Sequence, residues 1–155
     1  MRLDIGCGTK RDEGYLTADI TGTPDVLCDA RHLPFKAGAF AGVRALHVLE
    51  HIPRECLVQT MNECHRVTAG GGEMEIEVPI FPSDDAMADP THVSFFVPRT
   101  FDYFVDGEAT AEYLNNDRVT GENRWGVSWK HTQNLGFLPG LVGYWNLNKV
   151  SDDTY

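Results

Sequence analysis

Apolar and polar positions along the chain change period several times, and each change marks an element. Arg2-Leu3-Asp4-Ile5 is a short, partly apolar run that Gly6-Cys7-Gly8 ends abruptly, which predicts a first strand and a tight turn. The chain is therefore expected to open on a strand, with no leader before it. Gly14 to Ile20 predicts a second strand, Asp25 to Asp29 a third after the Thr21-Gly22-Thr23-Pro24 turn, and Ala39 to Leu46 a fourth. From Pro53 the period lengthens. Leu57, Met61, Cys64 and Thr68 fall on one face at helical spacing, with Pro53 suited to the first turn and Gly70-Gly71-Gly72 to the stop. Glu73-Met74-Glu75-Ile76-Glu77-Val78 then alternates strictly, as a strand with one wet and one dry face does.

Beyond residue 81 the pattern predicts short helices over 98–104 and 108–114, and two strands over 118–129 and 141–150 that pair antiparallel at one edge. Strands joined by turns and one long crossing helix predict an α/β fold: a Rossmann-like, mostly parallel sheet with an antiparallel C-terminal edge and reduced helical cover. With 155 residues, 42% of them hydrophobic, residues 1–155 are expected to form a single domain with a real core.

Charge narrows the partners. Thirteen Lys and Arg against 23 Asp and Glu give a net charge of −10, which argues against nonspecific binding of nucleic acid or anionic membrane. Only four of the cations are lysines, a balance shared by acidic mesophilic proteins and by proteins adapted to strong salt. No stretch approaches the roughly 20 apolar residues that span a bilayer. Cys7, Cys28, Cys56 and Cys64 form no CxxC pair, which fits buried thiols in a reducing cytoplasm.

Candidate chemistry gathers at strand ends. Glycines directly after a first strand let the backbone approach a ligand. Asp19 ends the second strand, where a carboxylate accepts both hydroxyls of a ribose, and Asp29 ends the third, within reach of an adenine amino group. Gly, Asp and Asp at one sheet edge make a nucleoside-shaped site. For each aspartate the competing reading is a turn cap.

Asp4-Ile5-Gly6-Cys7-Gly8, Asp19, the run Cys28 to Phe35, His47 to Ile52 and His65-Arg66-Val67 together resemble a class I S-adenosylmethionine-dependent methyltransferase, in particular the small type 11-like members. The resemblance covers about residues 1 to 104. It implies that S-adenosyl-L-methionine is the cofactor, that Asp4, Gly6, Cys7 and Gly8 pack against its methionine part, and that Asp19 and Ile20 hold the ribose. Asp29 and Ala30 would frame the adenine, and His47 would line the sulfonium side. The methyl acceptor is not identified by it. The chain departs from the family between the first two strands, where Thr9 to Glu13 is too short for a normal crossover helix. A homo-oligomer covering the exposed sheet face is one expected remedy. A cofactor- or partner-binding module without catalysis is the alternative function.

Two further motifs remain. His47-Val48-Leu49-Glu50-His51 matches H-x-x-E-H, an inverted zinc-protease pattern that would make a metal hydrolase. It needs a long helix containing both histidines. Pro53 places the main helix after it, so no metal is expected. Asp89-Pro90-Thr91-His92 lies beyond the fifth strand. There His92 is the candidate general base, Asp89 the group that orients it, and His47 a competitor for the same role. A loop tied down by Asp89, with His92 merely packed, is the competing reading. Trp125, Trp129 and Trp145 are read as core or interface residues.

Overall fold

The computed structural model describes residues 1–104, 129–131, 136–138 and 142–149. Five parallel strands form its frame: β1 (Arg2–Ile5), β2 (Tyr15–Asp19), β3 (Val26–Leu27), β4 (Phe40–Leu46) and β5 (Thr68–Pro79), ordered β3-β2-β1-β4-β5. The third strand is shorter than the pattern predicted, and Cys28 and Asp29 already lie in the loop after it. Three short or edge strands follow: β6 (Trp129–His131), β7 (Gly136–Leu138) and β8 (Val142–Lys149). β8 pairs antiparallel with β5, from Glu73 opposite Asn148 to Pro79 opposite Val142.

One face of the sheet carries the core. The helix α1 (Leu57–Val67) buries Leu57, Met61 and Cys64 of the expected stripe, with Val67 in place of Thr68, against the sheet face carrying Val43, Ala45, Met74 and Ile76. Its start differs from the expectation. Pro53 opens a separate 3₁₀ turn, Arg54–Cys56, in which Cys56 N–H donates to Pro53 C=O, and the α-helix begins only at Leu57. Its stop differs too. Thr68 is already extended and opens β5, so the three glycines lie inside the strand. They form an irregularity between the pairs Phe40–Thr68 and Gly42–Glu73, with Gly71 at φ +74° and Gly72 placed where an added Cβ would stand 2.7 Å from Ala41 C=O.

The opposite face is polar. Asp4 on β1 pairs with Arg44 on β4, and a row of facing residues runs from Thr17 through Asp4 and Arg44 to Glu75. Arg44 is 8% exposed, bonds Asp4 at 2.6 Å and Asp12 at 2.8 Å, and lays its guanidinium 3.9 Å over the Tyr15 ring. Asp12 belongs to the short segment, Thr9 to Glu13, that was expected to be too short for a crossover helix. Over this face that segment contributes the Asp12 end of a charge pair, and β2 contributes the Tyr15 ring of the cation–π contact. Glu73, Glu75 and Glu77 sit half-buried on this face, and Glu73 pairs with Arg2.

After β5, a four-residue turn of helix, α2 (Asp84–Met87), capped by Ser83, leads into the Asp89–His92 loop, and a 3₁₀ stretch follows at Thr100–Phe104. Phe96 and Phe101 stack at 5.4 Å and extend the core under this region. Among the described residues no helix is long and apolar enough to cross a membrane. The expected helix over 108–114, most of the expected strand over 118–129 and the three tryptophan side chains lie outside what is described.

Candidate functional site

The carboxyl ends of β1, β2 and β3 open on one cleft of about 240 Å³. In open parallel sheets this edge is where ligands bind, because the loops there diverge. Gly6 forms its floor. Its N–H donates to Ala18 C=O at 2.8 Å, its φ is +62°, and a Cβ built on it would stand 2.2 Å from Val48 Cγ2. Only glycine fits that position.

Asp19, at the end of β2, faces the cleft and also orders its rim. One carboxylate oxygen accepts Gly8 N–H at 2.8 Å, and the other accepts Thr21 N–H at 3.1 Å. Each oxygen keeps a further lone pair, so the turn-capping and ligand-binding readings of this residue are compatible. Ile20, 66% exposed, presents an apolar surface beside it. Asp29 and Ala30 line the far wall. Arg31 folds back on Asp29, donating from its backbone N–H at 2.8 Å and from Nε to both carboxylate oxygens at 2.9 Å. The guanidinium hydrogen bonds hold the Asp29 carboxyl below the usual carboxylate range. Cys28, also in the wall, has its thiol pushed up by desolvation and stays a neutral thiol there.

Five of the expected cofactor residues therefore converge: Gly6, Asp19, Ile20, Asp29 and Ala30. Four do not touch the cleft. Asp4 is buried on the polar face with Arg44, because the alternation of β1 turns it away from Leu3 and Ile5. Cys7 is buried under the turn, and Gly8, at φ +54°, only shapes it. His47 leaves β4 with φ +54°, and its ring is held between Glu77 Oε1 at 2.8 Å and Glu50 Oε1 at 3.3 Å. Val48, His51 and Pro53, from the segment that follows, line the cleft where His47 does not. The H-x-x-E-H stretch lies in an irregular segment and a 3₁₀ turn, Leu49–His51, ahead of α1.

His92 sits next to the cleft rather than in it. Backbone N–H groups of Val93 and Ser94 donate to Glu50 C=O at 2.8 and 3.0 Å, and Ser94 Oγ donates to Ile52 C=O at 2.6 Å. These bonds fasten the 89–94 loop onto the 50–52 segment and bring the rings of His51 and His92 to 4.9 Å. Asp89 accepts Thr91 N–H at 2.8 Å and Thr91 O–H at 2.6 Å, while its other oxygen stands 3.7 Å from His92 Nε2. The Thr91 bonds hold its carboxyl below the ordinary range. The sequence pointed to His92 and Asp89, and to His51 only within the H-x-x-E-H reading; it missed Arg31, whose only signal was its place in the Cys28 to Phe35 run.

The family described as Methyltransferase domain matches residues 3–76. A solved S-adenosylmethionine-dependent methyltransferase from Archaeoglobus fulgidus shares the fold with a TM-score of 0.62 at 21% identity, over 96% of this chain and 85% of that one. The 1,6-didemethyltoxoflavin-N1-methyltransferase of Burkholderia thailandensis, solved with bound 1,6-didemethyltoxoflavin and S-adenosylhomocysteine, does so with a TM-score of 0.63 at 14% identity, over 97% of this chain and 71% of that one. Among curated proteins, 49 residues are 55% identical to the LPS-assembly protein LptD of Cupriavidus pinatubonensis, covering 32% of this chain and 6% of that protein. A 92-residue match to the LptD protein of Burkholderia thailandensis is 36% identical and covers 53% of this chain and 11% of that protein. The chain thus spans 11% or less of the length of these two curated relatives. The methyltransferase-domain match over residues 3–76 agrees with the resemblance, and the solved structures bear out the Rossmann-like fold it implies.

Proposed function

We propose that this chain is a class I S-adenosylmethionine-dependent methyltransferase that holds its cofactor in the cleft at the ends of β1, β2 and β3. The observation that carries the reading is the convergence of Gly6, Asp19, Ile20, Asp29 and Ala30 on one cavity. The cavity fits the group: a bare glycine floor, two carboxylates and apolar walls suit a nucleoside attached to an amino acid. Asp19 accepts the ribose hydroxyls through its remaining lone pairs. Asp29, kept anionic by Arg31, accepts the adenine amino group beside Ala30. Ile20 and Val48 supply apolar contact. Asp4, Cys7 and Gly8 act through the shape of the turn. In this reading the antiparallel C-terminal edge closes the sheet beside β5.

The bound sulfonium supplies an already activated methyl group, so the protein's part is alignment and, where the acceptor carries a proton, its removal. His92 is the candidate proton acceptor. Its Nδ1 lies 3.1 Å from Ala86 C=O, which fixes the proton on that nitrogen and leaves the Nε2 lone pair available. His47, held by two glutamates away from the cleft, positions Glu50 instead.

Titration calorimetry with S-adenosylhomocysteine tests the cofactor assignment. Asp19→Ala is expected to weaken binding by about 1.5–3 kcal/mol, the range for hydrogen bonds to a charged group. Unchanged affinity removes Asp19 from the site, and a parent protein that does not bind at all overturns the placement.

A further inference from the structure

His51 and His92 share a feature that proton transfer alone does not need. His51 Nδ1 lies 3.2 Å from Thr91 C=O and 3.1 Å from Thr91 Oγ1. The Thr91 hydroxyl already donates its own proton to Asp89, so toward His51 it accepts. Both Thr91 atoms therefore require the proton on His51 Nδ1. His92 Nδ1 likewise faces a carbonyl, that of Ala86. Two adjacent imidazoles are thus both locked with Nδ1 protonated and Nε2 bearing a lone pair. Backbone carbonyls fixing the tautomer from behind is the arrangement that supports metal-ligating histidines.

The third member is Glu50. It is 1% exposed, its Oε1 reaches His47, and its Oε2 is buried with no hydrogen-bond partner among the described residues. An unpartnered carboxylate oxygen in the interior is costly unless a proton, a donor or a cation meets it. One ligand atom from each of Glu50, His51 and His92 lies within 4.8 Å of the other two. Bonds of about 2.0–2.2 Å around a tetrahedral ion set ligand atoms about 3.3–3.6 Å apart, so side-chain rotations of about 1 Å close the shell. The backbone bonds from Val93 and Ser94 to Glu50 already hold the two segments together.

We infer that Glu50, His51 and His92 form a binding site for a divalent transition-metal ion of the zinc class, beside the cofactor cleft. Two imidazoles and one carboxylate are the donor set of such ions and a poor one for calcium or magnesium. The triad differs from the H-x-x-E-H reading, since His47 is outside it and His92 comes from a separate loop. Three protein ligands leave a position open for water or for an acceptor heteroatom, and His51 places that position at the cleft. With the ion bound, the His92 Nε2 lone pair is a ligand, so base and ligand are alternative uses of one atom.

Cobalt(II) chloride titrated into the metal-free protein at neutral pH tests the site, followed by displacement with zinc chloride. The parent is expected to take up one equivalent with visible d–d absorption that zinc abolishes. His92→Ala and Glu50→Gln are each expected to weaken uptake at least tenfold, with His32→Ala unchanged. A readout on the parent needs no variant: bound cobalt should shift or broaden the ring protons of His51 and His92 and spare those of His32 and His65. No uptake, or paramagnetic effects confined to other histidines, overturns the assignment. Neither cofactor nor acceptor enters the measurement, so its failure leaves the methyl-transfer reading standing, and the reverse holds as well.

Discussion

At the scale of single residues, two glycines of one turn are held by different constraints. Gly6 and Gly8 both have positive φ, +62° and +54°. A side chain at either position meets the left-handed strain of about 1–2 kcal/mol. At Gly8 nothing lies within 4 Å of an added Cβ, whereas at Gly6 it would meet Val48 Cγ2 at 2.2 Å. Overpacking of that kind adds about 1–3 kcal/mol. Gly8→Ala is therefore expected to lower unfolding free energy by about 1–2 kcal/mol and Gly6→Ala by about 2–5 kcal/mol, as read by urea denaturation. Equal losses in the two variants would show that Val48 yields freely and that Gly6 is not sterically required. The difference also bears on the cleft, because Val48 and Gly6 both wall it and a displaced Val48 narrows the space proposed for the cofactor.

At the scale of elements, the loop that carries Asp29 and Ala30 has no regular structure and is held by α1. Glu63 Oε2 accepts Leu33 N–H at 2.8 Å, and Arg66 donates to Glu63, to Phe35 C=O at 2.6 Å and to Leu33 C=O at 2.9 Å. The hydrogen bonds from Arg66, then that from Leu33, hold the Glu63 carboxyl below its ordinary value. A carboxyl with a depressed folded pKa contributes stability that is present above the unfolded value, about 4.3, and is lost as pH falls through the folded value. Glu63→Gln should therefore destabilise by about 1–2 kcal/mol at pH 7, and the gap to the parent should close below about pH 4. A gap that persists at low pH would mean that shape rather than charge does the holding. The same elements show what the sequence disclosed. β1, β2, β4, β5 and the buried stripe of α1 were legible because burial on one face imposes a period. Gly6, Asp19 and Asp29 were legible because strand ends of a parallel sheet share an edge. The glycines at 70–72 were misread, since a stop signal and a strand irregularity use the same residue. The meeting of Glu50 and His51 with His92 was hidden, because it rests on backbone bonds between two loops that leave no periodic trace.

At the scale of the whole molecule, the excess of acid decides how the protein responds to salt. The chain carries a net charge of −10, so its compact state gathers like charges that the unfolded chain spreads apart. Screening acts unequally on the charges that are paired. Arg2 and Glu73, 42% and 40% exposed, make a solvent-accessible pair of small value that salt weakens further. Arg44 and Asp4, 8% and 3% exposed, lie beneath the surface, where added ions do little. The favourable electrostatics most sensitive to salt is thus the least valuable, while the unfavourable repulsion is long-ranged and fully accessible. Raising potassium chloride from about 0.1 to 1 M shortens the screening length from about 10 to 3 Å and removes most of that repulsion. The melting temperature is therefore expected to rise, by about 2–4 °C for each kcal/mol relieved in a chain of this size. Calorimetry across that series checks the sign. A falling melting temperature would mean that surface ion pairs outweigh the net charge, and that the acid excess has no part in the protein's response to salt.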